Sequence, residues 1–257
     1  MKKNLSTILL VAVLVVGLGI LLYPSVSNYW NSFHQTRAIA SYSESVAHLS
    51  KEDYETIWND ARRFNRDIPK RENPMILPEA DRETYEALLN VGGNGVMGYI
   101  EIKKLGVSLP IYHGTSDAVL QIAVGHLEQS SMPTGGPSTH CVLSGHRGLP
   151  SAKLFTDLDK MQEGDTFVLR ILDEALTYAV DQIRIVEPTE MDDLNITEGQ
   201  DYCTLVTCTP YGINSHRMLV RGVRTDNEIT STVHVTADGL KIDPILVIPF
   251  AAAPLLL

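Results

Sequence analysis

The chain has 257 residues, 44% hydrophobic and 20% charged, so it can build a packed core and lies far from the composition of a disordered chain. A formal net charge of −10 argues against a partner bound by phosphate neutralisation, and no nucleic-acid partner is expected. Three cysteines are too few for a small disulfide-built scaffold.

After Lys2 and Lys3, no ionisable side chain other than Tyr23 and Tyr29 occurs before His34. Residues 5–23, LSTILLVAVLVVGLGILLY, are almost wholly apolar. At about 1.5 Å per residue such a helix reaches roughly the thickness of a hydrocarbon core. The lysines ahead of it predict a cytoplasmic N-terminus and an exported remainder. A cleavable signal sequence ending near Ser25-Val26-Ser27 is the alternative. The length of the run, with Pro24 directly after it, favours an uncleaved transmembrane anchor over residues 1–30.

Residues 31–95 read as a helical region. Ile39, Tyr42, Val46 and Leu49 recur at helical spacing. Ser50 with Asp53 resembles a capping box with the shorter acid, so a second helix starts there and buries Tyr54, Ile57, Trp58 and Ala61. Pro69, Pro74 and Pro78 make residues 68–80 an irregular segment. A short helix is expected over residues 82–90, and Gly92-Gly93-Asn94-Gly95 closes the region.

From Val96 the pattern becomes short β-branched runs between turns: MGYIEI, VSLPIY, HCVLSG, TFVLRI, LTYAVDQIRIV, YCTLVTC and RMLVRGV. Period-two alternation places Tyr178, Val180, Gln182, Arg184 and Val186 on one face. The fold class is mostly β, a sandwich or a barrel over residues 96–228, and closure into a barrel removes exposed edges. In the tail, residues 229–257, an apolar stretch from residue 242 is interrupted by Pro244, Pro249 and Pro254. Its length suggests an incomplete second membrane segment.

The block with most chemistry is TLVTCTPYGINSHRMLVRG, residues 204–222. It reads as strand, loop, strand, with Cys208 ending the first strand and Arg217 opening the second. If the strands pair, Arg217 lies beside Cys208 while His216 points away. A guanidinium beside a thiol favours the thiolate, and its N–H groups can hold an oxygen that gains negative charge. A proton carrier must come from His113, His126, His140, His146 or His216. Of these His146, in the loop after a strand that ends at Gly145, is best placed to titrate. Cys141 and Cys203 sit in apolar β-type runs and are expected to be small core residues.

These residues resemble the active-site signature of the sortases, in particular the class C, pilus-building enzymes of Gram-positive bacteria. MGYIEIKKLGVSLPIYHGTS, VGHLEQSSMPTGG and LSGHRGLPSAKLFTDL extend the resemblance, which runs from about residue 23 to residue 224. It implies a closed eight-stranded β-barrel with catalytic His146, Cys208 and Arg217. No cluster has zinc spacing and no Gly-rich phosphate loop occurs, so no metal or organic cofactor is expected. The resemblance implies a transpeptidase that cuts LPXTG-type sorting signals between Thr and Gly and joins pilin subunits through lysine isopeptide bonds. The partners would be pilins bearing such signals and an acceptor lysine, and the site would be the outer face of the cell membrane. A housekeeping sortase that attaches proteins to peptidoglycan is the alternative. Class C enzymes usually carry an Asp-Pro-aromatic lid. Its counterpart here is Asn73-Pro74-Met75, within residues 68–80, which lacks both the acid and the ring.

Overall fold

The computed structural model describes residues 2–71, 73 and 76–227. The apolar tail, together with Pro74 and Met75 of the expected lid, lies outside the described residues. Helix α1 (Lys2–Ala47) is continuous from the apolar run through Pro24 to Ala47. It is long and apolar enough to cross a membrane, and none of its apolar window is buried by the rest of the chain. Its second half lies along the barrel, where Ile39 and Tyr42 are buried and the Tyr42 hydroxyl donates to Met97 O at 3.1 Å.

Helix α2 (Lys51–Asp67) begins at Ser50, whose side chain accepts from Asp53 N at 3.1 Å. Trp58, Ala61 and Phe64 bury its apolar face. Asn65, also buried, fixes the helix to the barrel. Its Nδ2 donates to Met132 O and Thr134 Oγ1, both at 3.0 Å, and its Oδ1 accepts from Met132 N at 2.7 Å. A buried amide with all these bonds made stabilises one docking geometry rather than many. One-turn 3-10 helices at Ile68–Lys70 and Glu79–Asp81 bracket the proline-containing segment, and helix α3 (Arg82–Ala87) follows.

Eight strands close into one barrel: β1 (Val96–Ile102), β2 (Val107–His113), β3 (Val124–His126), β4 (Thr139–Ser144), β5 (Thr166–Ile171), β6 (Glu174–Val186), β7 (Asp201–Thr209) and β8 (His216–Arg224). Their order around the barrel is β1-β2-β3-β4-β7-β8-β6-β5. A one-turn helix α4 (Asp117–Leu120) connects β2 to β3. The β2–β3 and β4–β7 pairs are parallel, and the others are antiparallel. The interior is filled by alternate residues such as Ile100, Leu143, Phe167, Leu205 and Val220.

One expectation about β6 needs correction. The register shifts between Val180 and Gln182, and such a bulge inserts a residue that reverses the inside–outside alternation. Tyr178 and Val180 therefore belong to the interior cluster, whereas Val186 joins an outer cluster with Val142, Leu194 and Leu219. Only β6 ahead of the bulge follows the simple alternation.

Candidate active site

Strands β7 and β8 pair antiparallel with Cys208 opposite Arg217 and Thr209 opposite His216. Cys203 and Leu205 belong to the interior cluster, so alternation turns Thr204, Val206 and Cys208 outward. Cys208 is partly exposed while Cys141 and Cys203 are buried. Those two face each other across β4 and β7 inside the barrel, where burial pushes the Cys203 thiol up. Of the three thiols, only Cys208 meets solvent.

The turn between β7 and β8 is closed by Ile213 N and Asn214 N, which donate to Pro210 O at 3.1 and 2.9 Å. Arg217 is held against this turn: its Nη1 donates to Asn214 O at 3.2 Å and His216 O at 3.1 Å. The backbone pairing places Arg217 directly across from Cys208 on the neighbouring strand. His216 is engaged elsewhere, with Nε2 3.2 Å from a Glu187 carboxylate oxygen and Nδ1 2.8 Å from Ser215 Oγ.

His146 reaches the same region through the parallel pairing of β4 with β7. Gly145 N donates to Val206 O at 3.0 Å, and Thr207 Oγ1 donates to Gly145 O at 2.7 Å. Beyond it, Arg147 Nη1 donates to Thr209 Oγ1 at 3.3 Å and Nη2 pairs with Asp159. The residues on either side of His146 are thus bound to the stretch of β7 that carries Cys208. Gly145 is required here, because a Cβ on it would stand 2.6 Å from the buried Phe155 ring. Both ring nitrogens of each of three other histidines are occupied inside the fold: His113 by Gly95 O and Leu88 O, His126 by Tyr85 and Ser131 O, and His140 by Asn195 O and Thr204. Burial pushes the His113 and His140 pKa values down.

An outer apolar strip of Val142, Val186, Leu194, Val206 and Leu219 leads away from Cys208. It runs into a cavity of about 500 Å³ also lined by Ile68, Pro69, His140 and Ile196. The base of the proline-containing segment therefore overhangs this cavity. Arg71 staples its two ends by stacking on Phe64 and pairing with Asp81 at 3.3 Å. Asn73 is exposed, and its backbone carbonyl accepts from Ile76 N at 3.1 Å.

Sequence reasoning missed Arg147, because an arginine in a loop gives no sign that its side chain will be buried against a distant strand.

A closed barrel whose outer face presents a partly exposed cysteine opposite an arginine defines a class of cysteine acyl-transfer proteins, and comparison with known proteins agrees. Residues 100–225 match the model of the sortase domain. Sortase C1 of Streptococcus agalactiae is 50% identical over 75% of this chain and 100% of that one, with a TM-score of 0.71. Sortase C of Clostridium perfringens is 43% identical over 74% and 99%, with a TM-score of 0.66. Sortase A of S. agalactiae is 30% identical over 117 residues, 44% of this chain and 47% of that protein, so the match spans about half of that curated relative. The chain belongs to the sortase family, the cysteine transpeptidases. Within it, the chain groups with the class C members.

Proposed function

We propose that this chain is a membrane-anchored transpeptidase that cleaves LPXTG-type sorting signals between Thr and Gly and passes the acyl group to a pilin lysine. The observation that carries this is the pairing of Cys208 with Arg217, with the His146 loop bonded to the same end of β7.

The Cys208 thiolate attacks the threonine carbonyl carbon. Arg217 N–H groups hold the oxyanion that forms. As the Thr–Gly C–N bond breaks, His146 gives a proton to the departing glycine amine. A lysine amine then loses a proton to His146 and attacks the thioester. The C–S bond breaks, the thiolate is restored, and an isopeptide bond remains. No cofactor is needed for this sequence of steps.

Two relatives support the substrate class. The C. perfringens enzyme was solved with a C-terminal cell wall sorting motif, and a Streptococcus pneumoniae sortase C structure concerns pilin substrate specificity. The apolar run of α1 supports anchoring in the membrane with the barrel on the outer side. Residues 68–80, including Asn73, Pro74 and Met75, serve as a lid, a role supported by the position of Ile68 and Pro69 on the cavity.

The test is incubation of the purified protein with a sorting-signal peptide, a lysine-bearing pilin domain and a peptidoglycan stem peptide in competition, followed by mass spectrometry. A thioacyl adduct on Cys208 and an isopeptide-linked product are expected. An adduct that resolves only to hydrolysed peptide, or to a peptidoglycan stem, would overturn the pilin assignment, and no adduct at all would overturn the transpeptidase assignment.

A further inference from the structure

The helix that carries the apolar run is the same helix that docks on the barrel. Asn28 Oδ1 accepts from Lys153 N at 2.8 Å, Asn31 Nδ2 donates to Ser151 O at 2.7 Å, and Gln35 Nε2 donates to Ile122 O at 2.7 Å. Ser151 and Lys153 lie in the loop that begins with His146, and Ile122 precedes β3, whose Gly125 pairs with Ser144 at the end of β4. All three contacts are therefore at the barrel end where Cys208 and Arg217 meet. The opposite end is marked by Leu172, in the β5–β6 turn and so at the far end of β6 from Val186, which pairs with Arg217; Leu172 N donates to the Tyr42 hydroxyl further along α1.

Helical rise converts these contacts into heights. Asn28 is about 7.5 Å and Asn31 about 12 Å beyond Tyr23 along the axis. The headgroup layer on each side of a bilayer is roughly 5–8 Å thick. The loop bonded to Asn28 must therefore stand at the lipid surface if residues 5–23 span it. The β7–β8 turn is beside that loop, since a Cβ on Gly148 would come within 3.0 Å of the Tyr211 ring. Its tip exposes Tyr211 (61%) and Ile213 (72%), and residues 209–215 contain no charged side chain. Trp30 and Phe33 are exposed on α1 at the same level. Trp and Tyr rings such as those of Trp30 and Tyr211 are the usual amphipathic side chains of a membrane interface.

We infer that the Cys208 end of the barrel rests on the membrane, with Tyr211 and Ile213 inserted into its headgroup layer. This depends on the reading of α1 as an anchor, and it adds that the site opens within a few ångströms of lipid. A substrate still tethered to the bilayer would then meet Cys208 without first being extracted, whereas a freely soluble one would approach along the surface.

The test uses the full chain carrying Cys208→Ala, in which the two remaining cysteines are buried. Single cysteines are added by Ile213→Cys, by Asp173→Cys at the opposite end, and by Leu14→Cys within the apolar run. Each is labelled with an environment-sensitive fluorophore and reconstituted into vesicles of phosphatidylcholine and phosphatidylglycerol containing brominated lipids. Insertion of a side chain by roughly 5–10 Å at the headgroup boundary predicts a blue-shifted Ile213 probe that loses about half its emission, with the Asp173 probe unchanged. A quenched Leu14 probe with an unquenched Ile213 probe would overturn the inference and leave the anchor standing. An unquenched Leu14 probe would overturn the anchor, and the inference with it.

Discussion

Arg147 joins the residue after His146 to the residue after Cys208: its Nη1 donates to Thr209 Oγ1 at 3.3 Å while Nη2 pairs with Asp159. The side chain is only 9% exposed, so this bridge is a fixed part of the site wall. A displacement of one ångström between reacting groups can cost about 10²-fold in rate. Arg147→Gln should therefore lower kcat for peptide cleavage roughly 10- to 100-fold with KM little changed. Thr209→Val should produce a smaller loss of the same kind. Steady-state kinetics on folded variants decides this. A normal kcat in Arg147→Gln would reduce the bridge to a packing contact.

Arg217 is asked to do two things at once. One of its terminal nitrogens holds the carbonyls of Asn214 and His216, which leaves the rest of the fork for the substrate oxygen. A lysine presents all three of its donors from one point and cannot reproduce a fork that reaches both places. Arg217→Lys should keep the fold and lose about 10²–10³ in kcat, the usual cost of one oxyanion donor. Turnover within threefold of the native rate, measured with a fluorogenic sorting peptide, would show that charge alone suffices.

The thiols should separate cleanly by position. Cys208 is partly exposed, whereas Cys141 and Cys203 face the barrel interior. A methanethiosulfonate reagent is expected to modify one thiol per native molecule and all three after denaturation, as counted by intact mass. Cys208→Ala should abolish both the native modification and the thioacyl adduct. Cys141→Ser should retain them, because that side chain lies on the other face of its sheet. Rapid native labelling of Cys141 would contradict the closed barrel.

The parts of this architecture legible in the sequence are those set by local pattern. Ser50 caps α2 as its spacing with Asp53 implies, and alternation along residues 216–221 is enough to put Arg217 beside Cys208 and His216 away from it. What could not be read are features decided by distant partners. The turnover of β6 at Val180 comes from one extra residue in a pairing with β8, and nothing in LTYAVDQIRIV marks it. Pro24 directly follows the apolar run, yet α1 continues through it, and beyond it Asn28, Asn31 and Gln35 are bonded to barrel loops far away in sequence. Burial adds what no spacing rule could show about the other histidines: His126 and His140 are buried, and half-buried His113 has both ring nitrogens bonded.

His140 gives a prediction about stability and pH. Its ring is fully buried, with Nδ1 2.9 Å from Asn195 O and Nε2 2.7 Å from Thr204 Oγ1. The neutral imidazole satisfies both contacts, donating to the carbonyl and accepting from the hydroxyl. Burial holds the folded pKa below the usual 6.5, so between the two values the unfolded chain binds a proton that the folded chain does not. The stability held by neutral His140 is therefore complete above pH 6.5 and is lost as pH falls toward the folded pKa. The slope from this group is at most about 1.4 kcal/mol per pH unit. Urea midpoints of the detergent-solubilised chain should fall more steeply between pH 6.5 and pH 5 in the native protein than in His140→Asn, although the variant starts lower at pH 7.5. Parallel profiles for the two proteins would mean that His140 takes up its proton inside the fold as readily as outside it.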